Sequence, residues 1–361
     1  MKKHDMIKTS HLLGQEIFVG LEDSKKSWKI CVRSQGVVVN ETTMPASYQN
    51  LKNYFNNKFP ECKINVIYEA GFKGFNLYDF LVADSHNCIV TPPHTVTDEK
   101  CQRNKNDRID CRRLSKNLEN NDYKICYVPD KETRENRQVI RSYAQIQKNI
   151  TRACNRIRRE LEFHGLDHNF KAGRWYRSDY LYAKEFLKEL KLSVSLNFSF
   201  EIKFKELEFL WGLQKEVLCE MRNLAKTEKY KDDVKILMSC PGIGLLTAIR
   251  LVLEWGDVTR FKRKEEFAKF TGLIPSDYST GESERTGHIT KQGNRFVRGW
   301  LIESAWVAIR KDPVLLDKFS RVMGGSSKRK KMAIVAVAKT LALRLRALLI
   351  NRENYIIGLT A

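Results

Sequence analysis

The sequence predicts an α/β domain followed by an all-α remainder, on three observations. Short β-rich runs alternate with helix-like runs up to about residue 127. A long stretch with apolar residues at a 3–4 spacing follows. Everything beyond residue 231 stays helical except for one polar loop. The expected domains are therefore 1–127, 128–231 and 232–361. A chain of 361 residues is long enough for such a division, and 42% hydrophobic residues can supply a core to each part.

In the first domain Glu16–Val32 is β-rich, with Ile17, Phe18 and Val19, then Trp28, Ile30 and Val32. It is interrupted by Glu22-Asp23-Ser24-Lys25-Lys26, and Gly36 leads into the partner strand Val37–Val39. Leu51–Phe59 reads as a helix, Ile64–Tyr68 as a buried strand and Gly74–Ala83 as a helix. Cys88–Val90 reads as a strand stopped by Pro92-Pro93, and Asp107–Leu118 as a helix. Such alternation calls for a layered fold with a partly parallel sheet.

The second domain is expected to be a long helical arm. Val139, Tyr143, Ile146, Ile150, Ile157 and Leu161 mark one face, while Arg141, Arg152 and Arg156 stand among the basic residues of the others. Gly165 ends this helix, Asp167–Ser199 reads as irregular or partly helical, and a second long helix is expected over Phe200–Lys229. In the third domain Cys240-Pro241-Gly242-Ile243-Gly244, followed by the apolar helix Leu245–Leu253, has the form of a helix-hairpin-helix turn. Gly242 and Gly244 there let backbone amides approach a phosphate. A polar loop runs from Pro275 to Asn294, and the helix Lys328–Leu349 opens on the basic residues Lys328 and Arg329.

Lys and Arg total 64 against 43 Asp and Glu, a formal charge of +21. That excess costs the folded state self-repulsion, which a polyanion relieves, so nucleic acid is the leading partner. The longest apolar stretches, such as Ile243–Leu253 and Met332–Val337, fall short of a membrane span, and no apolar signal region follows Met1. The nine cysteines are odd in number, with no C-x-x-C pair, and read as free thiols of a reducing cytoplasm.

Four carboxylates stand where phosphoryl-transfer chemistry needs them. Glu22 follows the strand Ile17–Gly20, Glu69 ends the strand Ile64–Tyr68, and Asp107 and Asp110 lie three apart at a helix start. Carboxylates at strand ends and on a nearby helix can converge, and hard divalent cations need such oxygen ligands. Each part alone has a plain explanation, as a solvated helix face or a loop residue; order and setting together carry the signal.

Phe18-Val19-Gly20-Leu21-Glu22, Tyr68-Glu69-Ala70-Gly71 and Lys105-Asn106-Asp107-Arg108-Ile109-Asp110 resemble the DEDD-type, RuvC-like domain of bridge-RNA-guided insertion-sequence transposases. Further on, Gly272-Leu273-Ile274-Pro275, Tyr278-Ser279-Thr280-Gly281, Gly287-His288-Ile289-Thr290-Lys291-Gln292-Gly293-Asn294 and Arg298 resemble the C-terminal transposase domain of the same family, in the same order. The resemblance implies a ribonuclease-H-like N-terminal domain, a long helical arm and a mainly helical C-terminal domain. It implies Mg²⁺ held by Glu22, Glu69, Asp107 and Asp110, and a serine that forms a covalent bond to DNA. The family has Asp where this chain has Glu22. Asp23 is the neighbouring alternative, and strand alternation favours Glu22. For the nucleophile, Ser279 is preferred as the less hindered hydroxyl, and Thr280, directly before Gly281, is its rival by register.

Lys291, Arg295 and Arg298 are candidates for phosphate binding in this region, and His288 for moving a proton or for a plain surface role. The implied partners are donor and target double-stranded DNA and a structured non-coding guide RNA. The implied assembly is a tetramer, a dimer of dimers, working in a prokaryotic cytoplasm at the nucleoid. Two other readings fit the same residues: a RuvC-like junction endonuclease that uses water, and a catalytically silent nucleic-acid-binding protein.

Overall fold

A computed structural model describes residues 14–93, 107–167, 170, 175–277, 286–290 and 293–358. The chain divides into two compact units, Met1–Pro129 and Asp130–Ala361.

The first unit is built on strands β1 (Glu16–Asp23), β2 (Ser27–Ser34), β3 (Val37–Pro45), β4 (Lys63–Glu69) and β5 (Asn87–Thr91). Their order in the sheet is β3-β2-β1-β4-β5. The first three strands are antiparallel neighbours, while β4 and β5 join β1 in parallel. Gln35 and Gly36, both at positive φ, close the β2–β3 hairpin, the conformation that follows the natural twist of paired strands. Helices α1 (Tyr48–Lys58) and α2 (Asn76–Ala83) make the crossovers and α3 (Asp107–Glu119) follows the sheet.

Alternation along the strands sorts side chains into two layers. Ile17, Val19, Leu21, Val66, Tyr68 and Val90 pack with Leu51 and Phe55 of α1 and Leu77 and Leu81 of α2. Ile67 on the opposite face packs with Leu114 and Leu118 of α3, alongside Phe18 and Ile89. The ribonuclease-H-like expectation and the observed sheet agree. Strand β3 runs well past the expected Val37–Val39, because its pairing with β2 continues to Pro45.

The second unit begins with an arm. Helices α4 (Lys131–Phe163) and α6 (Val194–Leu224) run antiparallel, and α5 (Arg177–Glu189) lies in the connection between them. Ala153, Ile157 and Leu161 of α4 meet Tyr180, Ala183 and Leu187 of α5 and Phe200, Phe204 and Leu207 of α6 in one apolar cluster. The stretch expected to be irregular or partly helical contains a regular helix, α5, and the start of α6.

The rest of the unit comprises α7 (Lys231–Met238), α8 (Leu245–Trp255), α9 (Lys264–Phe270), β6 (Pro275–Asp277), β7 (Thr286–Ile289), α10 (Arg295–Ala308), α11 (Pro313–Met323) and α12 (Lys330–Asn351). A separate core forms around Trp255, Phe267, Leu301 and Leu341. The domain is mainly helical, as expected, and within its polar loop β6 and β7 pair antiparallel. No helix among the described residues is long and apolar enough to cross a membrane.

Candidate active site

The acidic residues of the first unit are positioned by the packing of α3 along the sheet. A stripe of α3 at four-residue spacing, Asp107, Cys111, Ser115 and Glu119, lies along alternate residues of β2. Lys29 Nζ stands 2.5 Å from Asp107 Oδ2, and the Cys111 thiol donates to the Lys29 carbonyl at 3.0 Å. The Ser115 hydroxyl donates to Cys31 Sγ at 3.3 Å, and Arg33 Nε donates to Glu119 Oε2 at 2.8 Å. Four helical residues rise about 6 Å and two strand residues span about 6.6 Å, so the two repeats stay nearly in step. Burial pushes the Cys111 thiol up to about 12, which keeps it protonated as that donor.

Glu22 pairs across the antiparallel strands with Lys29, so both belong to the α3 face. Asp23 belongs to the opposite face, where Lys73 Nζ holds it at 2.8 Å. On the parallel side Leu21 pairs with Tyr68, and Glu22 and Glu69 are the next residues of the two neighbouring strands. Parallel strands lie about 4.8 Å apart. Ile67, two residues before Glu69, packs against Leu114, and Asp110 lies one turn before Leu114. The fold thus brings Glu22, Glu69, Asp107 and Asp110 to one end of the sheet, all half-buried, with both aspartates in the first turn of α3. The positive end of the helix dipole favours acids there.

The donor set is four hard carboxylates, which suits a hard divalent cation. Yet among the described residues no group of three or more His, Cys, Asp or Glu is drawn tightly enough to hold a metal ion. Asp107 is engaged by Lys29. Sequence reasoning missed Lys29; the signal was the short turn after Asp23, which fixes the register that sets Lys29 opposite Glu22.

In the second unit, Ser279, Thr280 and Lys291 lie outside the described residues. What frames them is described. Pro275 pairs with Ile289 and Asp277 with Thr286, so β6 and β7 flank the hydroxyl loop. Thr290 N donates to Ile274 O at 3.2 Å. Gly293 has φ +88°, and a Cβ there would meet Phe270 O at 2.8 Å. Asn294 caps α10 by accepting from Phe296 N and Val297 N. Its amide also donates to the buried Glu254 carboxylate at 2.8 Å, a partner that the sequence did not reveal. Arg295 and Arg298 occupy the first turn of α10, Arg295 exposed and Arg298 reaching Gly272 O at 3.5 Å.

The remaining basic candidates differ in setting. Arg141 and Arg152 are exposed on α4, and so are Lys328 and Arg329 before α12. Arg156 is exposed but donates to Glu206 of α6 at 2.5 Å. Gly242 has φ +89°, and a Cβ there would stand 2.4 Å from Ser304 O, so packing on α10 accounts for that glycine. Gly244 has open space around it and precedes α8 as its cap.

The comparisons with known proteins fall on the same two regions. Residues 19–165 match the family model of the DEDD transposase of IS110, and residues 234–320 match that of the transposase IS116/IS110/IS902 family. The transposase for insertion sequence element IS1111A of Coxiella burnetii is 27% identical over 274 residues, 75% of this chain and 73% of that protein. The transposase for insertion sequence element IS1328 of Yersinia enterocolitica is 30% identical over 102 residues, 28% of this chain and 30% of that protein. The y4qE protein of Sinorhizobium fredii is 27% identical over 247 residues, 66% of this chain but only 57% of its own length. A DEDD sheet domain followed by this helical domain defines the class as an insertion-sequence transposase. The chain belongs to the IS110 family.

Proposed function

We propose that this protein cuts and rejoins double-stranded DNA through a composite site, with acids from the first unit and a hydroxyl from the second, from the same or another copy. What supports the proposal is that Glu22 and Glu69 end neighbouring strands at the face α3 packs on, and that the first turn of α3 bears Asp107 and Asp110. These four residues would hold Mg²⁺, which supplies charge stabilisation to phosphoryl oxygens. The Ser279 hydroxyl, or its rival Thr280, attacks phosphorus. The new O–P bond forms as the bond to one deoxyribose oxygen breaks, and that oxygen takes up the proton. Rejoining reverses this with a hydroxyl from another strand, so one phosphodiester is exchanged for another. Lys291, Arg295 and Arg298 offset charge on the phosphate.

A structured non-coding RNA guides the enzyme to donor and target DNA in the prokaryotic cytoplasm. The active form is a tetramer joined through the arms. Val194, Phe198 and Ile202 of α6, 89%, 62% and 48% exposed at four-residue spacing, support an apolar contact there.

The test is to trap the reaction in denaturant with DNA and copurifying RNA. A covalent protein–DNA adduct lost on Ser279→Ala or on Thr280→Ala is the expected result and identifies the nucleophile. Cleavage without an adduct, tolerant of both changes, would mean a water-using junction nuclease. Uncut DNA would mean a binding protein.

A further inference from the structure

We propose that Lys29 is a built-in counter-cation that competes with the divalent ion for Asp107 and so sets how tightly the acidic site binds metal. The inference rests on the metal-binding reading above. Lys29 is no random surface neighbour. Its strand register places it directly across from Glu22, and the Cys111 thiol, donating to its carbonyl, ties its backbone to α3 one turn beyond Asp107. The ammonium and the Asp107 carboxylate stand 2.5 Å apart, with side chains 29% and 49% exposed. The pair therefore links β2 to the first turn of α3 at the end of the sheet where all four acids lie.

Two cations close to one carboxylate repel each other, so a divalent ion arriving at Asp107 must displace the ammonium or share the oxygens at a cost. The ammonium has somewhere to go. Lys29 lines a groove of about 530 Å³ together with Thr42, Thr43, Arg108 and Cys111. Lys29 thus lowers metal affinity in the resting protein and limits self-repulsion among the acids. The partial exposure of the pair keeps the effect modest.

The test is Mn²⁺ binding to the full chain, followed by the paramagnetic resonance of free Mn²⁺. Lys29→Met and Lys29→Gln should each bind about 3- to 10-fold more tightly than wild type. Lys29→Arg, which keeps the charge, should bind like wild type, and Asp107→Asn more weakly. Two charge-removing variants guard against a folding defect in either one. Unchanged or weaker binding in both would overturn the role of Lys29 while leaving Asp107-dependent metal binding in place. Equal binding by wild type and Asp107→Asn would instead remove the acidic-site reading, and the role of Lys29 with it.

Discussion

A Cβ added at Gly20 would stand 2.1 Å from the Cys111 carbonyl oxygen and 2.6 Å from the Ser115 amide, so β1 and α3 meet there backbone to backbone. The close approach sets the height of α3 over the sheet, and with it the positions of Asp107 and Asp110. Gly20→Ala should cost about 2–3 kcal/mol, measured by urea unfolding of the first unit, and should weaken metal binding with all four acids intact. At this scale much was legible. Strand alternation separates Glu22 from Asp23, and the structure sets Asp23 on the other face with Lys73. Lys29 was not legible, because its partner depends on a hairpin register and a helix far along the chain. Arg344 carries a buried charge that local sequence gives no sign of: it is 7% exposed and donates to the buried Asp312 at 2.9 Å. Arg344→Met should destabilise the second unit by about 3–5 kcal/mol by stranding the Asp312 charge, a loss visible in its melting temperature.

Among the elements, α4 offers the clearest pH signature. Its N-cap Asp130 accepts from Thr133 N at 2.9 Å and from Lys229 Nζ at 2.7 Å. Partial burial alone would raise its carboxyl, but the Lys229 ammonium and the Thr133 donors hold it down at about 2. A depressed acid adds stability above its unfolded value, near 3.8, and loses it as pH falls through about 2. Asp130→Ala should therefore cost about 1 kcal/mol at neutral pH, and the gap from wild type should close between roughly pH 4 and pH 2 in urea titrations. Long elements were the easiest to read. The 3–4 repeat announced α4, because it runs through several turns, and the second long helix expected over Phe200–Lys229 covers most of α6. Strands β6 and β7, of three and four residues, leave too little alternation to notice in a polar loop. Helix α5 was obscured by its aromatic content: Tyr180 packs inward while Tyr182 is exposed, which blurs any single apolar face.

For the molecule as a whole, the excess of +21 charges makes DNA affinity a poor measure of chemistry. Binding of any polyanion should weaken steeply as salt rises, whether or not the acidic site works. The catalytic reading needs a change that touches metal and leaves the basic surfaces alone. Glu69→Gln is such a change, since it keeps the shape of a half-buried strand-end side chain and removes one negative charge near the proposed phosphate. Losing a carboxylate ligand should reduce strand cleavage by more than about 100-fold. DNA affinity at fixed salt should hold or tighten slightly, because a repulsive charge has gone. Measuring both on the same preparation separates the outcomes. Cleavage lost with affinity kept places Glu69 in the chemistry. Cleavage kept at the wild-type rate would show that the sheet end is only scaffold, and equal losses of both would point to a damaged fold.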